Sequence, residues 1–315
     1  MRALRMVWLY VLVGTLTGGD CYSGAPGKSG HYEFSYEDPT LFGPVRFPPL
    51  VEGGARATID ASPTGSGCGN HHPFSAVASS DAAIATFAYD GNAITVSTGR
   101  AGTAELQLLD DTGAIVDRVD VRVEAVAELG LYRKSAGLLA GETYTLPITM
   151  YGTTGVELGG ERGMLQATAS GSLAVTSEEG FLATTLQVTA NEVGEGAIAL
   201  AAPSGITDTI SLTAVGETAI ASIVLDPRYP PTYDADHVRW TIHTVASTAA
   251  GDPVFGAKCH WQLSGSSLSL DWERPAQNLA DSSASEDSAF RLGDRGSFTA
   301  TCTIGGAHLD VPLQR

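Results

Sequence analysis

The sequence predicts an all-β chain made of antiparallel β-sandwiches in series. Three observations carry this: apolar and polar residues alternate with a period of two over many short runs, Gly, Asp, Asn and Pro break those runs, and one pattern returns three times. Stretches with a helical period are scarce.

At the N-terminus, Arg2 and Arg5 precede the apolar run Met6 to Val13, and small residues follow. That order is the layout of an export signal over residues 1–19, too short to remain in a bilayer as an anchor. Thr17 and Gly19 suit cleavage before Asp20, which would place the mature chain in the cell envelope or outside the cell. Cys21 follows, and it resembles the lipid-modified cysteine of bacterial lipoproteins, although Leu16 lies five residues upstream and Asp20 stands where a small neutral residue is usual. A lipid anchor through Cys21 and a soluble secreted form are both open. Residues 20–44, DCYSGAPGKSGHYEFSYEDPTLFGP, are rich in turn formers and read as a flexible tether.

Three blocks follow, each opening with a turn that feeds an alternating strand: LVEGGARATI from Leu50, LLAGETYTLPI from Leu138 and DADHVRWTIHTV from Asp234. Each then carries a Gly ahead of small and apolar residues in alternation: GRAGTAELQL from Gly99, GEGAIAL from Gly194 and GDRGSFTATC from Gly293. Aligning Gly102, Gly196 and Gly296 gives spacings of 94 and 100 residues. Each block closes on a second alternating run: RVDVRVEAV from Arg118, TISLTAV from Thr209 and AHLDVPL from Ala307. Short strands at this density, with turns between them, argue for sandwiches of one block each.

Two segments carry a family resemblance. SSDAAIATFAYDGNAITVSTGRAGTAELQL, Ser79 to Leu108, resembles the bacterial immunoglobulin-like (Big) repeats, in which Ser-Asp precedes a strand and Gly-Thr-Ala precedes the penultimate one. GDPVFGAKCHWQLSG, from Gly251, is similar to the strand of the same superfamily that ends in Val-x-Trp, with Cys259 where an aliphatic residue is usual. The resemblance implies tandem Ig-like domains over residues 45–126, 127–217 and 218–315, the middle one placed mainly by spacing. It implies a spacer, adhesion or interaction module and no active site.

In AKCHWQL, strand alternation puts Ala257, Cys259, Trp261 and Leu263 on one face and Lys258, His260 and Gln262 on the other, so Cys259 and His260 cannot act as nucleophile and base. The Ig-like arrangement makes this strand a neighbour of SFTATCTI, and an exported protein then offers a Cys259–Cys302 disulfide, contributing about 4 kcal/mol through loop closure. Cys68 lies near His71 and His72 in a Gly-rich loop; three ligands without a partner pair do not make a structural zinc site, and Cys68 pairs with Cys21 if Cys21 carries no lipid. Asp90, Asp110, Asp111, Asp234 and Asp236 sit in turns without the spaced ladder of a calcium loop, so no metal is expected.

The chain has 35 acidic and 18 basic side chains, a net charge of −17, which excludes nucleic acid as a partner by repulsion. It has no nucleophile elbow, zincin helix, phosphate-cradling loop or dinucleotide fingerprint, so neither catalytic residues nor cofactors are expected. Trp240 alternates with Val238 and Ile242 as a core residue does. Trp272 follows a strand and is the candidate ligand contact, beside a segment from Arg274 to Phe290 expected as a mobile loop. The expectation is a non-enzymatic cell-surface or secreted protein whose partner is a surface protein or polysaccharide. The alternative is a carbohydrate- or peptide-binding accessory protein with its site in the third block.

Overall fold

The computed structural model describes residues 24–38, 43–45, 47–64, 73–160, 164–264, 268–281, 283–293 and 295–314. The segment expected as an export signal, Cys21, Cys68, His71 and His72 lie outside the described residues. The chain is all-β, in three antiparallel sandwiches.

The first sandwich holds β1 (Ala25–Pro26), β2 (Tyr32–Asp38), β3 (Gly43–Val45), β4 (Leu50–Val51), β5 (Arg56–Pro63), β6 (Ala76–Ser79), β7 (Ala85–Tyr89), β8 (Ile94–Thr98), β9 (Gly102–Leu109) and β10 (Ile115–Glu124). One sheet runs β1-β2-β5-β8-β7, with β3 on β2, and the other β4-β10-β9-β6. Alternation decides the faces: Val119, Val121 and Val123 of β10 are buried, while Arg118, Asp120 and Arg122 face water.

The expected tether is corrected here. Within residues 20–44, β2 is an inner strand between β1 and β5, and Tyr32, Phe34 and Tyr36 enter the core. YEFSYED alternates aromatic and polar residues, a strand signal obscured by the Gly- and Pro-rich sequence on either side. The turn before β2 is pinned by Asp117, a fully buried carboxylate that accepts the backbone N–H groups of Ser29, His31, Tyr32 and Arg118 at 2.8–2.9 Å. Burial, the largest single effect, pushes its carboxyl up, and these four donors together outweigh it and hold the carboxyl below the usual carboxylate range.

The second sandwich holds β11 (Val126–Gly130), β12 (Ser135–Leu139), β13 (Thr143–Gly152), β14 (Gln166–Gly171), β15 (Leu173–Glu179), β16 (Ala183–Ala190), β17 (Gly194–Ala201) and β18 (Thr207–Val215). The third holds β19 (Ile220–Leu225), β20 (Thr232–Asp234), β21 (Arg239–Thr248), β22 (Val254–Phe255), β23 (His260–Leu263), β24 (Leu268–Arg274), β25 (Ser285–Leu292), β26 (Ser297–Ile304) and β27 (Ala307–Gln314). Their sheets are β11-β13-β16-β15 facing β14-β17-β18-β12, and β19-β21-β25-β24 facing β23-β26-β27.

Each sandwich therefore places its first, second, fifth and fourth principal strands in one sheet and its third, sixth and seventh in the other, which is the Ig-like order. In the first two, a short extra strand, β4 or β12, runs parallel to the last strand. The third sandwich departs from this. Its β22 leaves for its neighbour and extends the second sandwich's sheet, parallel to β12.

Both joints are packed. At the first, Val51 and Ala55 enter the core of the second sandwich, and Phe181 enters the core of the first, its ring 4.8 Å from that of Tyr36. The backbone joins them through Val51 N–H to Gly159 O at 2.9 Å and Gly159 N–H to Pro49 O at 2.8 Å. Gly159 is required there, since a Cβ would strike the Phe181 ring. At the second joint, Phe255, Ala276, Leu279 and Ala284 complete the second sandwich's core.

The expectation of a mobile loop from Arg274 to Phe290 is thereby overturned. Ser285 to Phe290 belong to β25, and the preceding stretch is held by Thr145 N–H to Gln277 O and Leu279 N–H to Thr145 O, both 2.8 Å. Its Ser, Asp and Ala content reads as loop because its few apolar residues, Ala276, Leu279 and Ala284, have no alternation and pack outside their own block.

Candidate functional site

AKCHWQL forms the wall of the third core. Cys259 and Cys302 are disulfide-bonded with a Cα separation of 5.0 Å, joining the residue just before β23 to the neighbouring strand β26, and Trp261 lies opposite Cys302 in register. His260 faces outward, 3.6 Å from Glu217. Behind the disulfide lies Glu286, 2% exposed, which accepts the Cys259 N–H at 2.7 Å and the Ser288 hydroxyl at 2.7 Å. Burial pushes the Glu286 carboxyl above its ordinary value, with those hydrogen bonds opposing in part. The Trp261 indole N–H lies 3.1 Å from the Ser288 hydroxyl and its ring packs edge-on against Phe290, so this tryptophan is structural.

The other candidates separate. Trp240 donates its indole N–H to Gln314 O at 3.2 Å and packs on Tyr233. Trp272 is half-buried on edge strand β24, opposite fully buried Ala289, with the Arg274 guanidinium 5.1 Å above its ring. The Arg274 guanidinium therefore covers one face of the ring. Asp90 accepts the N–H groups of Asn92 and Ala93, Asp110 those of Thr112 and Ala114, and Asp234 those of Asp236 and His237. Hydrogen bonding lowers all three carboxyls, led by the Ala93 backbone for Asp90, the Thr112 side chain for Asp110 and the His237 side chain for Asp234. Among the described residues, no group of three or more His, Cys, Asp or Glu side chains is placed to hold a metal ion.

Among the described residues, concave surfaces flank the loop that joins β11 to β12, one within the second sandwich and one at the second joint. Leu131 borders a cavity of about 350 Å³ whose wall includes Ile206 and Asp208, and Arg133 borders one of about 440 Å³. Ser135, Ser211 and Thr213 line the larger cavity on one side and Thr248 and Asp252 on the other. Between them in sequence stands Tyr132, 66% exposed. Arg133 lies 4.4 Å over the Phe255 ring, donates from Nε to Leu279 O at 2.7 Å and from Nη2 to Asp281 O. Lys134 is paired with Asp208 at 2.7 Å. Sequence reading missed this site. Its signal was GLYRKS, Gly130 to Ser135, an aromatic followed by two cations in an acidic chain.

No protein-family model matches the chain, and no curated protein matches it. Among solved structures it is similar to FdeC, an Escherichia coli adhesin, at 18% identity over 93% of this chain and 99% of that one, with a TM-score of 0.28. It is also similar to domains 4–9 of the surface-layer protein SbsC, at 14% identity over 92% of this chain and 47% of that one, with a TM-score of 0.33. Invasin, a bacterial integrin-binding protein, is similar at 11% identity over 89% of this chain and 59% of that one, with a TM-score of 0.26. At such identities and scores no residue role transfers to this chain.

Proposed function

We propose that this chain is an exported, non-enzymatic bacterial protein of three Ig-like sandwiches that serves at the cell surface or outside the cell as a spacer, adhesion or interaction module. The observation that carries this reading is the pair of packed joints. Residues of each neighbour complete the core of the second sandwich, so the three sandwiches are held at fixed angles and present their outer surfaces as one body. Fixed presentation is useful to a spacer or an adhesive module, whereas a hinged cleft would suit an enzyme that closes on substrate. The export signal, the disulfide of the third sandwich and the acidic, water-seeking surface support the same reading. A lipid on Cys21 would fix the array to a membrane, with Cys68 then left unpaired by Cys21.

The test is made on intact cells producing the full chain. Protease shaving should remove it from the cell, and proximity labelling should mark envelope or external molecules. Recovery of the chain only in the cytoplasm, with its leader intact, would sink the proposal. Lipid labelling lost in Cys21→Ser would assign the anchor; equal labelling of both forms would exclude it.

A further inference from the structure

Strands that end a sheet carry main-chain groups without partners, and folded chains guard such edges by shortening them, bulging them, charging them or breaking them with proline. This chain does so almost throughout. Among the described residues, β1, β3, β4, β20 and β22 have two or three residues and β6 and β23 have four, while β11, β19 and β24 are bulged. β27 holds Pro312, and β15 carries the exposed Glu178. β7 is covered at its start, where Ala85 donates its N–H to Asp81 O at 3.1 Å and accepts the Ser79 hydroxyl at 2.6 Å.

β14 has none of these guards. It is six residues long, Gln166–Gly171, without charge, proline or register shift, and among the described residues it pairs only with β17. Ala167 and Ala169 pack against the core, while Gln166, Thr168 and Ser170 are exposed. Alternate residues of an antiparallel strand point their N–H and C=O groups away from the partner, so about half of the main-chain groups of β14 face the open side.

The surface beside this edge is neutral and carries no bulk. Ala199 lies between Thr168 and Thr209 in register, and Ala197 between Ser170 and Ser211. Side chains of this size do not overhang the edge, so another strand can approach. In a chain at −17, a neutral edge is also where a second, equally acidic copy can come close without direct repulsion. The same sheet already accepts a strand from outside its own sandwich at its opposite edge, where β22 runs parallel to β12.

We propose that β14 is a pairing edge for a second copy of this chain, two β14 strands lying antiparallel about a two-fold axis and joining their sheets into one. An edge that pairs with itself closes the assembly at two copies, whereas pairing β14 with a different edge would give an open filament. This goes beyond the spacer or adhesion reading, because the partner is the chain itself, and copies tethered to one surface would pair laterally at high effective concentration. So short an edge buries less than about 1,000 Å², and a dissociation constant of about 10 μM to 1 mM is expected.

The full chain, purified from cells that produce it, is followed by sedimentation equilibrium from about 1 μM to 1 mM and by hydrogen exchange at both ends of that range. A monomer–dimer equilibrium should appear, and amides within residues 166–171 should exchange more slowly at the higher concentration. Thr168→Lys with Ser170→Lys sets like charges opposite one another across the axis and should raise the dissociation constant about tenfold or more, although it lowers the net negative charge. Thr209→Lys with Ser211→Lys, on inner strand β18 of the same face, should leave it within about twofold. Absence of association by about 1 mM overturns the proposal, as does a dimer that the β14 lysines leave unchanged. Equal weakening by both lysine pairs overturns it too, since the sheets would then stack face to face. Hydrogen exchange needs no variant, so unchanged protection of residues 166–171 in a dimer decides against the edge even where a lysine pair disturbs folding. Each of these failures would leave cell-surface location standing.

Discussion

The two joints solve one problem in different ways. At the first, side chains are exchanged: Val51 and Ala55 go one way and Phe181 the other, with a single parallel bridge between Leu50 and Gly159. At the second, the third sandwich donates backbone as well, adding β22 to its neighbour's sheet and laying Ala276 to Leu279 along Thr145. An exchange of side chains closes the surface between two sandwiches. Donated backbone spaces them, and the cleft beside Arg133 is the result. The comparison teaches that a concavity in a serial β-protein can arise from how neighbours are joined and not from loops at a sandwich's end.

The largest effect should come from Phe255→Ala. Phe255 is fully buried, lies under Arg133, and its carbonyl is 3.0 Å from the Tyr144 hydroxyl. Loss of about 4–5 kcal/mol in urea unfolding is expected, with a second transition appearing as the third sandwich uncouples. A retained single transition with less than about 2 kcal/mol lost would show that the donated segment is not needed. Phe181→Ala should cost somewhat less, about 3–4 kcal/mol, because the first joint keeps its main-chain hydrogen bonds. Here the first sandwich should separate in the unfolding curve while the second and third stay coupled; loss of that coupling in this variant would contradict the independence of the two joints.

What the sequence reveals follows the same division. Faces within a strand are set by parity, so the placement of Cys259 beside Cys302 and the outward turn of His260 could be read from alternation together with the Ig-like resemblance. The joints could not, because Phe255 and Leu279 are apolar residues whose partners belong to another block, and alternation names a face without naming what covers it. Tyr32, Phe34 and Tyr36 were legible in principle, but turn formers around them argued for a tether. Two buried acids were legible as well: Asp117 shares parity with Val119, and Glu286 with Phe290, so each is an acid on the apolar face of a strand.

Those two acids give the first and third sandwiches opposite responses to pH. The folded-state pKa of Asp117 is depressed, so its contribution is present above the ordinary carboxylate value and drains as pH falls through the lower, folded one. Asp117→Asn should cost about 2 kcal/mol at neutral pH, and the gap to wild type should close under acid. Since Asp117 pins the turn leading to β2, which carries Tyr36 to Phe181, acid should loosen the first joint before the second. Glu286 has a raised folded-state pKa, so its contribution is full below the ordinary glutamate value and is lost as pH rises through the higher one. Glu286→Gln should change stability by only about 1 kcal/mol and should remove the gain that wild type shows on going from neutral to mildly acid solution. Asp226, held down to about 2 chiefly by Arg228, acts in the opposite sense at lower pH, so the two windows are distinct. Urea titrations of wild type and both variants at pH 7, mildly acid pH and strongly acid pH decide the matter. Parallel pH curves for wild type and Glu286→Gln would mean that the carboxyl behind the disulfide does not titrate with folding.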